Sequence, residues 1–131
     1  MKKQIFIYLM PFLGIFFCFS SLTYAQIEFK QVSHQFGQVE EAGGEVSVEF
    51  EYTNGNMETK ILMVQPSCGC TTPTWKKEAI ASKETGKITV KFSPKGRLGE
   101  FSKSVTVMTN FNQVFWLKIE GVVVEKKTKT Q

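Results

Sequence analysis

Val46-Ser47-Val48-Glu49-Phe50-Glu51-Tyr52 alternates strictly between apolar and polar side chains. Successive side chains of an extended chain point to opposite faces. Val46, Val48, Phe50 and Tyr52 therefore share one face, and Ser47, Glu49 and Glu51 share the other. This is a strand buried on one side and wet on the other, as in an antiparallel sheet covering a core.

The same period recurs on either side of this segment. Downstream, Ile88, Val90 and Phe92 alternate with Lys87, Thr89 and Lys91. A strand over Phe101 to Met108 turns Val105 and Val107 inward. Phe115, Leu117 and Ile119 alternate with Val114, Trp116 and Lys118, and Gly121 to Val124 prolongs that strand. Upstream, Ile27-Glu28-Phe29 reads as an edge strand leading into Phe36-Gly37-Gln38-Val39. Ile61-Leu62-Met63-Val64 is a further apolar run. Turn residues punctuate these segments at Gly43-Gly44, Asn54-Gly55-Asn56, Ser93 to Gly99 and Asn110-Phe111-Asn112. Residues 66–86, with Pro66, Gly69, Pro73 and Gly86, form the longest irregular stretch. No window has a helical period. About seven short strands with turn signals roughly every 8–12 residues predict an all-β, immunoglobulin-like antiparallel sandwich. The pattern of two distant cysteines around a core tryptophan is missing, so the sandwich must rest on apolar packing.

The N-terminus has a different character. Lys2 and Lys3 precede an apolar run from Ile5 to Phe19, and Ser20-Ser21-Leu22-Thr23-Tyr24-Ala25 follows. That is the layout of a signal-peptide helix over residues 1–25, cleaved between Ala25 and Gln26. The run is shorter than the roughly 20 residues of a spanning helix, and Pro11 and Gly14 interrupt it. Cys18 follows Phe17, too large a neighbour for lipoprotein processing. The expected mature chain is one domain over residues 26–125 with a disordered polar tail over 126–131. It meets the membrane only through the signal and is expected to be periplasmic or secreted.

Charge and composition exclude several function classes. The net charge of +4 comes from the two ends. Residues 26–125 hold 11 Lys and Arg against 12 Glu, which gives no basic face for nucleic acid. The chain has no Asp, and His34 is its single histidine. A Ser-His-Asp triad and a multi-histidine metal site are thereby ruled out. No catalytic residue is assigned, and the chain is expected not to be an enzyme.

Cys68-Gly69-Cys70-Thr71 is the one motif with chemical potential. Three readings stand side by side. The pair can be structural, as buried thiols or a tight disulfide that needs the chain to bend at Gly69. It can be a redox pair exchanging disulfides with a partner. It can be a soft-metal pair for copper(I), with Met57, Met63 or Met108 as third ligand. Other notable residues have plainer readings: His34 on the surface or in a loop, Trp75 packed on the cysteine loop, and Trp116 on the outward phase of its strand.

Phe36-Gly37, Asn54-x-Asn56, Ser67-Cys68-Gly69-Cys70-Thr71, Gly99-x-Phe101-x-Lys103 and Leu117-x-Ile119-x-Gly121 occur in that order. In this the chain resembles the secreted bacterial family known as domain of unknown function 1573, whose members are similar to hydin-like immunoglobulin folds. The resemblance spans nearly all of residues 27–124, and Cys-Gly-Cys-Thr is its most specific part. Two positions depart from the family: Gln35 stands where Asp often precedes Phe-Gly, and Ala81-Ser82 where Pro-Gly is frequent. The resemblance implies the fold and no particular activity. The resulting expectation is a non-enzymatic binding or structural module of the bacterial cell envelope, docking an envelope protein. The alternative is a thiol-redox or copper(I)-handling protein acting through Cys68 and Cys70.

Overall fold

The computed structural model describes residues 27–126. The expected signal, its cleavage point at Ala25 and Gln26, and the tail beyond Lys126 lie outside the described residues. Eight strands follow one another: β1 (Ile27–Phe29), β2 (Ser33–Glu40), β3 (Val46–Asn54), β4 (Ile61–Pro66), β5 (Thr71–Thr74), β6 (Thr85–Phe92), β7 (Gly99–Thr109) and β8 (Val114–Val124). They form two four-stranded sheets, ordered β1-β3-β6-β5 and β2-β8-β7-β4. This is the immunoglobulin-like sandwich that the alternation predicts.

The strand phases follow the sequence. Phe50, Tyr52, Ile88, Val90 and Phe92 from the first sheet are buried against Val105, Val107, Leu117 and Ile119 from the second. Val46 and Phe115, on the same phases, are half-buried at the margin. Phe92 stacks on Phe101 with ring centroids 4.0 Å apart. Toward the other end Phe29 sits edge-on to both Tyr52 and Phe115, at 5.6 and 5.1 Å. Ring contacts such as Phe92 on Phe101 and Phe29 on Phe115 join the two sheets, with no inter-sheet disulfide among the described residues.

Two features depart from the expectation. Residues 66–86 are not wholly irregular, because Thr71–Thr74 pairs with β6 from Thr71↔Phe92 to Thr74↔Thr89. Pro73 is tolerated there because β5 is an edge strand, whose outer N–H groups need no partner. The strand count is therefore eight. The second departure is that β2 runs parallel to β8, whereas every other strand pair is antiparallel. The chain changes sheets within three residues. Lys30 N still donates to Glu51 O of β3, while Val32 O already accepts from Lys118 N of β8.

Glycines supply the close approaches that this crossing needs. The β2–β8 register shifts between Gln35 and Gln38, and Gly37 sits in the shift at φ +68°. The bulge presses onto β8 at Gly121, where a Cβ would lie 2.8 Å from both the Gly37 carbonyl oxygen and the Phe101 ring. Phe36-Gly37, Phe101 and Gly121 are thus one packing unit. The first sheet repeats the device, with the Tyr52 ring lying across Gly86 of β6, its Cζ 2.6 Å from where a Cβ would be.

Candidate functional site

The two ends of the sandwich differ. One carries the β3–β4 loop, the loop before β6 and the β7–β8 hairpin. The other carries the cysteine loop between β4 and β5. Cys68 and Cys70 are joined by a disulfide with Cα atoms 5.2 Å apart. Cys70 is buried in the core at 5% exposure, Cys68 is half-buried against it, and Gly69 is exposed. The bend does not use left-handed backbone at Gly69, which is absent from the positive-φ residues, and a Cβ there would meet nothing within 4 Å.

Backbone hydrogen bonds hold this loop on every side. Ser67 N donates to Ser104 O at 2.9 Å, and Ser104 N donates to Ser67 Oγ at 3.1 Å. Thr71 N donates to Cys68 O at 3.1 Å, and Ser93 N to Cys70 O at 2.9 Å. Cys70 N also donates to Cys68 Sγ at 3.2 Å, and the Thr71 hydroxyl lies 3.7 Å from Cys70 Sγ.

The methionines proposed as partners for the pair lie elsewhere. Met63 is in register with Met108 on β4 and β7. Met63 precedes Cys68 by five residues, so extended chain at about 3.4 Å per residue puts them well over 10 Å apart. Met57 is in the β3–β4 loop, at the opposite end. The structure thus brings the two sulfurs together and brings no methionine to them.

The outer faces of the sheets also differ. That of β1-β3-β6-β5 is charged, with Lys30 bonded to Glu51 and Lys87 to Glu49. Lys30 holds the Glu51 carboxyl below the ordinary carboxylate range, first through the hydrogen bond and then through its charge. On the other sheet Trp116 stands 66% exposed in mid-strand. It is in register with Thr106, and the adjacent rung is Met63↔Met108↔Val114. Leu62, at the irregularity in β4, is 56% exposed, and Met63 is 37% exposed. Along the same face Lys118 pairs with Glu120, which also accepts from Gln35 and Ser102. The Lys118 hydrogen bond holds the Glu120 carboxyl below its ordinary range.

Among the other residues singled out, His34 lies in β2, half-buried and edge-on to Phe36 at 4.7 Å. Trp75 packs on the core with Lys77 Nζ 5.2 Å from its ring. Asn54, a turn residue by its sequence context, is 2% exposed and works as a clamp. Its Nδ2 donates to the carbonyls of Met57, Ile80 and Ala81 at 2.9, 3.0 and 3.0 Å, and its Oδ1 accepts from Gly55 N at 2.9 Å. A signal for this was present, since position 54 continues the inward phase of Val48, Phe50 and Tyr52. A polar residue on that phase must find partners.

No curated protein sequence matches the chain. Among solved structures it is similar to a protein of unknown function from Porphyromonas gingivalis W83, with 16% identity and a TM-score of 0.65, covering 79% of this chain and 50% of that one. The chain thus spans about half the length of that relative. It is also similar to PapD-like domain 7 of human CEP192, an ASH / PapD-like domain, with 16% identity and a TM-score of 0.63, covering 79% and 89%. A third likeness is to the secreted serine protease VesC from Vibrio cholerae, with 9% identity and a TM-score of 0.57, covering 76% and 23%. At these identities the likeness speaks to the fold. The sequence itself matches a family model over residues 27–123, and the chain belongs to that family, described as Protein of unknown function (DUF1573).

Proposed function

We propose that the protein is an exported binding module of the bacterial cell envelope, rather than an enzyme, and that it docks an envelope protein on the outer face of β2-β8-β7-β4. The observation that carries this reading is Trp116, 66% exposed in mid-strand, on the sheet face that also exposes Met63 two strands away. Exposed tryptophan and methionine are enriched at interface centres. The opposite outer face supports the choice by contrast, because it is charged and carries the Lys30–Glu51 and Lys87–Glu49 pairs.

The partner fitting this surface is a protein with an apolar patch that buries an indole. Immobilised mature protein should retain one discrete envelope protein, cross-linked through the Trp116 face. Trp116→Ser should weaken retention at least tenfold, since a central aromatic commonly contributes about 2 kcal/mol or more. Its own stability should change by less than about 0.5 kcal/mol, as for other exposed positions. Thr89→Ser, on the charged face, should retain the partner. Equal retention by Trp116→Ser and wild type would refute the assignment of the face.

Export rests on the Lys2-Lys3, apolar and Ala25 pattern. Mass spectrometry of the protein isolated from its cells should give a chain beginning at Gln26, free or cyclised. A chain retaining Met1 or Lys2 would replace the cleaved signal with a membrane anchor.

A further inference from the structure

We propose that the Cys68–Cys70 bond is a thiol–disulfide exchange site for polypeptide dithiols. Cys68 is the sulfur attacked, and Lys103 is the cation that steadies it as a thiolate. This goes beyond the docking reading and rests on different residues.

The first observation is the asymmetry of the pair. Cys70 is in the core, whereas Cys68 is half-buried next to an exposed glycine over which a Cβ would meet nothing within 4 Å. Cys68 is thus the more accessible of the two sulfurs to an incoming thiolate. The second observation is that the loop does not depend on the bond. Ser67, Cys70 and Thr71 are each fixed by backbone hydrogen bonds. A ring closed between residues two apart also restricts the unfolded chain very little. The sandwich can thus keep its structure in both redox states.

The third observation concerns charge. The β4–β7 ladder runs through Pro66↔Val105 and on through the Ser67–Ser104 bonds. Past those bonds the chain bends away from β7, and Lys103 is the next residue of β7 beyond Ser104. Lys103 lies on the inward phase of β7 with Phe101 and Val105, yet it is half-buried and takes part in no ion pair among the described residues. A cation at that point of β7, together with the Cys70 N–H that lies 3.2 Å from Cys68 Sγ, would favour a thiolate at Cys68.

The exchange balances as follows. One thiolate of the substrate dithiol attacks Cys68 Sγ and the Cys68–Cys70 bond breaks. Its electron pair goes to Cys70 Sγ, beside the Thr71 hydroxyl, and Cys70 takes up a proton. The substrate is now held in a mixed disulfide with Cys68. Its second thiol loses a proton to solvent and attacks the substrate sulfur of that disulfide, so Cys68 departs as a thiolate. The substrate dithiol is oxidised to a disulfide, and its two electrons remain on Cys68 and Cys70.

The test uses the mature oxidised chain and a reduced synthetic peptide carrying two cysteines. The peptide should be oxidised one-for-one without denaturant, while the protein keeps its near-ultraviolet spectrum. In the reduced protein, iodoacetamide should label Cys68 at least tenfold faster than Cys70, as mapped by mass spectrometry. Lys103→Met should slow labelling of Cys68 severalfold at pH 7, and Lys103→Arg should restore it. A bond that opens only when the protein unfolds would overturn the proposal, as would equal labelling of the two sulfurs. An unchanged rate in Lys103→Met would remove Lys103 from it.

Discussion

Phe50→Ala is expected to lower the free energy of unfolding by about 3–5 kcal/mol, the usual cost of removing a buried phenylalanine. Phe50 is fully buried and pairs with Ile88, which is fully buried too. The cavity it leaves is walled by two sheets tied through their other strands, so the site cannot collapse to fill it. Small domains are stable by only about 5–15 kcal/mol, so the variant should lose a large share of its margin. Glu49→Ala, one residue away, removes an exposed carboxylate bonded to Lys87. Exposed pairs contribute about 0–1 kcal/mol, so this change should be small. Urea unfolding of the two variants checks the contrast, with the midpoint falling in Phe50→Ala at an unchanged slope. Similar losses at both positions would contradict the strand phase on which the whole fold reading rests.

That phase was legible because alternation is a local property. Most inward apolar residues of β3, β6, β7 and β8 can be named from a short window, and their burial follows. Strand direction is not local. Nothing in Ser33–Glu40 states that its neighbour will be β8 running parallel, because side-chain alternation is the same in parallel and antiparallel pairs. β5 was hidden for another reason. Thr71-Thr72-Pro73-Thr74 lacks apolar alternation and contains a proline, and only its place at a sheet edge makes that composition workable. The candidate sites divide in the same way. The Cys68–Cys70 pair and the outward phase of Trp116 could be read from the chain. The place of Lys103 on β7, just past the Ser67–Ser104 contact, needed the register of β4 with β7. The separation of the methionines from the sulfurs needed the sandwich to have two ends.

Asn54→Asp should be more damaging than Asn54→Ala, although it preserves the shape of the side chain. The Asn54 amide nitrogen shares its two hydrogens among three carbonyl oxygens, so a carboxylate there would place acceptors and negative charge against acceptors. Alanine merely deletes the bonds. Each abandoned carbonyl keeps another donor: Thr59 Oγ1 on Met57, Thr59 N on Ile80 and Glu84 N on Ala81. The alanine variant should therefore lose about 2–3 kcal/mol, a few net hydrogen bonds and a small void. The aspartate variant should lose about 3–5 kcal/mol at pH 7, the scale of an uncompensated buried charge. The pH dependence follows from the same geometry. Burial and facing carbonyls raise the folded-state pKa of the new carboxyl above its unfolded value of about 3.9. A group shifted upward favours the folded state below the unfolded pKa, and that advantage is lost as pH rises through the folded pKa. The difference between Asn54→Asp and Asn54→Ala should thus shrink as the pH falls toward about 4 and widen toward 7. Denaturant unfolding of both variants at the two pH values measures it. An aspartate variant as stable as the alanine variant at pH 7 would mean that the loop opens to solvent and that Asn54 does not clamp it.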